Sequence, residues 1–236
     1  MKALRIIIVL TAIFGLALTG CNLSVNKSIR IGDGETVNHG PTTVNGSIRI
    51  GNNCTIRGGS RTVNGSIRVG HDCKVKSLKT VNSGITVGEN TEVDGSIATV
   101  NGSVTCEENV RVEDSVSTVN GSITCHSGVK VNGDLTNING KITLEKAQVK
   151  DDVRTHTGNI TLMDNSVVEG DIIIKRSRSL SHRFRTLKIK IAEGSVVKGN
   201  IIVKDDDKKV KVYLIKGGRV EGSVKNAEIS EEDVEI

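Results

Sequence analysis

Four cysteines stand in two pairs of equal spacing, Cys54 with Cys73 and Cys106 with Cys125, each pair 19 residues apart. Thiols at equivalent places in a repeat can do one of two things. In an oxidising compartment they bridge as disulfides when their Cα atoms come within about 4.4–6.8 Å; otherwise they fill core space as small apolar groups. Arg30, Arg49 and Arg68 keep the same 19-residue spacing, and a row of guanidinium groups suits an anionic surface. A second basic group, Lys175, Arg176, Arg178, Arg183, Arg185 and Lys188 with His182 and Phe184 among them, breaks that spacing. A loop leaving a regular body is a place for recognition, here of an anionic polymer or acidic partner. The longest series is Asn26, Asn45, Asn64, Asn82, Asn101, Asn120 and Asn139, whose amides can both donate and accept. His39, His71, His126, His156 and His182 share no position in the repeat and lack a spaced Cys or carboxylate set. No metal site is therefore expected. No nucleophile, base and oxyanion set emerges either, so neither a cofactor nor catalysis is expected.

These residues take their spacing from an internal repeat. Thr43-Val44-Asn45-Gly46-Ser47-Ile48 returns at Thr62 and Thr118, with Val104 for the Ile at Thr99, and in looser form at Ser24, Thr80, Asn137 and Thr155; from Ser24 to Asn137 the starts lie 19, 19, 18, 19, 19 and 19 residues apart. Within one copy Ile48 and Ile50 alternate with Arg49, Gly51-Asn52-Asn53 interrupts, and Cys54 and Ile56 alternate with Thr55. That is the pattern of short strands parted by turns, about six residues per strand and turn. Three such units per copy predict an all-β, single-domain parallel β-helix (β-solenoid) of about ten coils of 18–19 residues over 24–225, about 48 Å long at ~4.8 Å per coil. Ile189-Lys190-Ile191 and Val212-Tyr213-Leu214 fit the template of Ile48-Arg49-Ile50 after insertions at 175–187 and 205–209, and 226–236 reads as an acidic tail or cap.

Repetition stacks like residues. The asparagines are expected in one structural column at a corner, where the next residue, usually Gly, tolerates φ > 0. Arg30, Arg49 and Arg68 precede Thr86, Thr105, Thr124, Thr143 and Thr161 in an outward column, so the outer face starts cationic and becomes neutral. Each cysteine pair should be neighbours on adjacent coils, and both of their readings stay open. One coil alone cannot offset the entropy of ordering its residues, so stability belongs to the array.

Composition agrees. Among 236 residues only Phe14, Phe184 and Tyr213 are aromatic, with Gly at 26 and Pro at 1. The core must be aliphatic, collagen is excluded, and the usual sugar-stacking surface is missing. Lys2 and Arg5 precede an apolar run over 6–18, the layout of a leader peptide (1–20) rather than a spanning helix. Leu18-Thr19-Gly20-Cys21 resembles the bacterial lipobox. That resemblance implies cleavage before Cys21, a diacylglyceryl thioether on its sulfur, residues 21–23 as a short tether, and membrane attachment by more than one acyl chain. Asn22 in place of Asp implies the outer membrane by resemblance to Gram-negative lipoproteins. Removing Lys2 and Arg5 leaves 30 basic and 27 acidic residues, a balance of +3, which gives no footprint for nucleic acid.

Val168-Glu169-Gly170-Asp171-Ile172 and Val197-Lys198-Gly199-Asn200-Ile201 resemble the repeats of bactofilins, polymer-forming cytoskeletal β-helices, and the chain is similar to adhesin-type repeat proteins of bacterial envelopes over about 24–225. The resemblance implies a scaffold, spacer or binding surface with possible self-association through coil ends. Ile50-Gly51-Asn52-Asn53-Cys54-Thr55-Ile56 is similar to the hexapeptide repeat of β-helical acyltransferases, but the period of 19 and discontinuous hexads depart from it.

Overall fold

The computed structural model describes residues 23–176, 186–205 and 208–230. The first coil consists of β1 (Leu23–Ser24), β2 (Ile29–Ile31) and β3 (Thr36–Val37), and the second of β4 (Thr42–Thr43), β5 (Ile48–Ile50) and β6 (Thr55–Ile56). Each strand pairs in parallel with its counterpart one coil on: Leu23 with Thr42, Ile29 with Ile48, Thr36 with Thr55. The pattern repeats to build three parallel sheets of 11, 11 and 10 strands, a β-solenoid of about ten coils. No described residue is helical.

Alternation decides which side chains enter. In the second sheet Ile48, Ile67, Ile85, Val104, Ile123, Ile142, Ile160, Ile189 and Val212 form one inward column, each paired with the next. All are buried. The third sheet adds Ile56, Val75, Val93, Val112, Val131, Val149, Val168 and Val197, and the first adds Leu78, Ile97, Val116, Leu135, Val153, Ile172 and Ile201. β-branched residues dominate because a strand buried on its inner face favours a stiff side chain standing off the pleat.

The insertions leave this register intact. Thr161 pairs with Lys190 and Lys190 with Tyr213, so the columns resume without a shift after each insertion. Two boundaries differ from the sequence reading. Leu187, placed in the insertion, is buried in a strand opposite Val210. The solenoid also continues past 225, because Glu228–Ser230 pairs with Lys211–Tyr213 and satisfies an edge the preceding strand would otherwise leave open.

The glycine expectation is corrected. Gly46, Gly65, Gly102 and Gly121 do not adopt positive φ; among the glycines after the repeated asparagine only Gly140 does. Their requirement is room. A Cβ on Gly65 or Gly121 would collide with the carbonyl oxygen of the glycine one coil back, and one on Gly46 with Lys27 O. Positive φ belongs to another corner, where Gly34, Asn53, Asp72, Asn90, Asn109, Gly128, Lys146 and Asn165 turn between the second and third sheets. Asn, Asp and Gly tolerate that conformation at least cost.

The threonine opening most copies has a role the sequence did not disclose. Thr62, Thr80, Thr99 and Thr118 are buried, and each hydroxyl donates to a carbonyl in the preceding corner: Gly46, Gly65, Ser83 and Gly102, at 2.7–2.8 Å. Asn137 takes this place in the next copy; its Nδ2 donates to Gly121 O, while its buried Oδ1 has no partner. Where the corner is lost, the column turns aliphatic at Ile174 and Val203.

Two substitutions test this account by urea unfolding. Gly65→Ala should destabilise by about 2 kcal/mol or more, the scale of overpacking against an unyielding backbone. Gly59→Ala, whose Cβ meets Ser77 O at an ordinary 3.4 Å, should change little. Asn137→Thr restores the repeat's residue and should stabilise by about 1 kcal/mol, because it removes an unsatisfied buried acceptor; a lower midpoint would contradict the role given to that column.

Candidate functional site

The repeated asparagines form one continuous ladder. Asn45 Nδ2 donates to Asn26 Oδ1, and Asn64, Asn82, Asn101, Asn120 and Asn139 each donate in turn to the one before, at 2.6–3.0 Å. The Thr157 hydroxyl donates to Asn139 Oδ1 at 2.7 Å and closes the series. An amide is self-complementary along such a stack, so seven identical side chains satisfy one another without charge.

Arg30, Arg49 and Arg68 stand side by side on the outer face of the second sheet, followed by Thr86, Thr105 and Thr124 in the same column. All three arginines are exposed. Arg68 Nη1 donates to Ser66 Oγ at 2.7 Å, and among the described residues no carboxylate pairs with any of the three. Arg57 and Arg61 are exposed on the other two faces of the same end. Positive charge therefore surrounds the first coils. Farther along, cations are answered by acids: Lys74 and Lys76 pair with Glu92 and Asp94, and Arg111 with Glu113. The hydrogen bond from Lys76, helped by Lys74, holds the Asp94 carboxyl below its ordinary range.

An acidic ladder, absent from the sequence reading, runs along one corner of the later coils. Asp134, Asp152, Asp171 and Asn200 each accept the backbone N–H of their counterpart on the next coil, at 2.7–3.1 Å. Arg154 bridges Asp134 and Asp152, which relieves the repulsion between stacked carboxylates.

The cysteines are stacked thiols. Cys106 and Cys125 are register partners, the Cys54 backbone N–H donates to Cys73 Sγ at 3.3 Å, and all four are buried and free in the structure. The thiol–thiol hydrogen bond with Cys106 and burial together push Cys125 well above an ordinary thiol pKa, and burial raises Cys73. Neither supplies a nucleophilic thiolate near neutral pH.

Of the basic insertion, Lys175 and Arg176 are described, whereas Arg178, Arg183 and Arg185 lie outside the described residues, as does Cys21. Lys175 keeps the register by donating its N–H to Thr155 O at 2.8 Å. His156 Nδ1 meets Arg176 O at 3.0 Å, and the largely buried Lys208 donates its ammonium to His156 O. The described ends of the two insertions thus meet at His156. Burial lowers the pKa of Lys175, Lys208 and His156, and nearby cations depress it further in His156 (Lys175 and Lys208) and in Lys175 (Arg154 first). Among the described residues no group of three or more His, Cys, Asp or Glu side chains could hold a metal ion.

The histidine gives a signed pH effect. Below an unfolded value of about 6.5, the unfolded chain takes up a proton that folded His156 resists, so stability should decline as pH falls from 6.5 toward the folded pKa. His156→Asn should flatten that part of the curve in urea unfolding at pH 5–7; an unchanged slope would assign it elsewhere.

Compared with protein families, with curated proteins and with solved structures, the chain matches none.

Proposed function

We propose that the protein is a lipid-anchored, non-enzymatic scaffold of the bacterial cell envelope, a stiff spacer or adhesin-like binding surface fixed at its N-terminal end. The observation that carries this reading is continuity of register. Parallel pairing begins at Leu23, two residues after Cys21, and is maintained to Ser230. A lipid on Cys21 would hold the first coil within about 7 Å of the bilayer, and the array would project about 48 Å from it at ~4.8 Å per coil. Arg30, Arg49 and Arg68 would then lie nearest the headgroups, where cations are attracted to anionic lipid. Asn22 favours the outer membrane, and the basic insertion, far along the solenoid, is the place for an envelope polymer or protein partner.

Growth with an alkyne-labelled palmitate, followed by fractionation, tests the anchor. The wild-type chain should carry the label and sediment with membranes, and Cys21→Ser should abolish labelling; equal labelling of the two would overturn the reading. A second reading, filament formation through coil ends, is favoured by the edges of β1, β2 and β3 at one end and of Glu228–Ser230 at the other, which pair with no further strand among the described residues. Electron micrographs of unlipidated protein distinguish it, because a monomeric spacer forms no filaments.

A further inference from the structure

The aliphatic core ends abruptly at the first coil. Ile48 and Ile56 are fully buried, yet their counterparts Ile29 and Val37 are only partly buried, because among the described residues no coil lies beneath them. Together with Ile31, Thr36, Gly40 and Pro41 they line a cavity of about 420 Å³. That volume lies within the range of small-ligand pockets, roughly 300–1,000 Å³. Ile29, Ile31, Val37 and Pro41 make its apolar side, Thr36, Asn38 and His39 its polar side, and it opens at the end of the chain's own hydrophobic column.

The position of the chain end identifies an occupant. Leu23 pairs with Thr42, and Pro41 and Gly40, the two residues before Thr42, line the cavity. Cys21 precedes Leu23 by two residues, a reach of about 7 Å. The surroundings suit a lipid terminus. Over 23–70 the chain carries Lys27, Arg30, Arg49, Arg57, Arg61 and Arg68 against Asp33 and Glu35, and all six cations are exposed.

We propose that this cavity is a hydrocarbon-binding site, and that it holds one acyl chain of the lipid on Cys21. The inference rests on the lipidation reading above and goes beyond it: the anchor is also the missing N-terminal cap of the solenoid. One chain completes the core while the others enter the bilayer, which fixes the first coil against the membrane instead of leaving it on a swivel. Burial of each methylene stabilises the pair in the same way as burial of another aliphatic side chain.

The test compares the lipidated protein extracted from membranes with the chain 21–236 exported through an ordinary leader and carrying Cys21→Ser. Because the coils begin at Leu23, this chain retains every described strand; circular dichroism confirms its fold. Titrated with cis-parinaric acid, a fluorescent fatty acid, the Cys21→Ser chain should bind one equivalent, and the lipidated protein should bind none because its cavity is filled. Val37→Glu should weaken binding about tenfold or more, the expected result of a carboxylate in a hydrocarbon contact. Ile29→Phe, which fills the cavity without adding charge, should do the same if the first variant does not fold. Absence of binding by the Cys21→Ser chain, equal binding by the lipidated protein, or binding unaffected by a folded variant would each overturn the proposal. So would a dimer in sedimentation that the probe does not dissociate, which assigns the cavity to a second copy. Mass spectrometry of the extracted protein separates the two readings: absence of diacylglyceryl on Cys21 overturns both, whereas a lipidated chain that still takes up the probe overturns only this one.

Discussion

Every residue of this solenoid has its own counterpart as a neighbour, one coil away at about 4.8 Å. That in-register contact governs the rest of the structure. A side chain is tolerated only if it can stand against a copy of itself, or against whatever its column offers. Aliphatic residues pass that test by dispersion and burial. Asparagine passes it because an amide offers a donor to one neighbour and an acceptor to the other, as in the column from Asn26 to Asn139. Glycine passes it at the crowded corner because backbone lies where a Cβ would project.

Charge meets the same constraint less easily. Three arginines in file repel, by under about 1 kcal/mol per neighbour in water, so the column from Arg30 to Arg68 gives way to threonine. Stacked aspartates survive where each accepts a backbone N–H and Arg154 lies between two of them. On the third sheet opposite charges meet in one column, where Glu92 stands between Lys74 and Arg111. Arg30, Arg49 and Arg68 pair with no carboxylate among the described residues, and they adjoin the end of the chain that the proposed anchor would occupy.

Much of this fold was legible because the period is carried by the residues that make it. Thr-Val-Asn-Gly fixed the coil length, the alternation in Ile48-Arg49-Ile50 fixed the inner face, and Ile189 and Val212 revealed where register resumes after each insertion. Four features were not read. The buried threonine hydroxyl was visible only as a repeated letter; its recurrence immediately before each corner was the available signal. The positive-φ corner was hidden because Asn53, Asp72, Gly128 and Lys146 share a conformation rather than an identity. The aspartate ladder was hidden because Asp134 stands where the preceding copies have Ser96 and Ser115, and Asp152 and Asp171 fall in degenerate copies, where an acid resembles an ordinary turn residue. The open cavity was the least legible of all, since no letter marks which aliphatic residue lacks a neighbour beneath it.

The self-matching column from Asn26 to Asn139 makes the solenoid a yardstick with fixed graduations. Duplicating or deleting one whole unit would bring together donors and acceptors that already fit, and would alter reach in steps of about 4.8 Å without requiring a new interface. A change of any other length would fall out of step with the columns, which resume their register after both insertions. The span of such a protein can therefore be retuned by genetic copying alone, while new surface chemistry is added at its flanks.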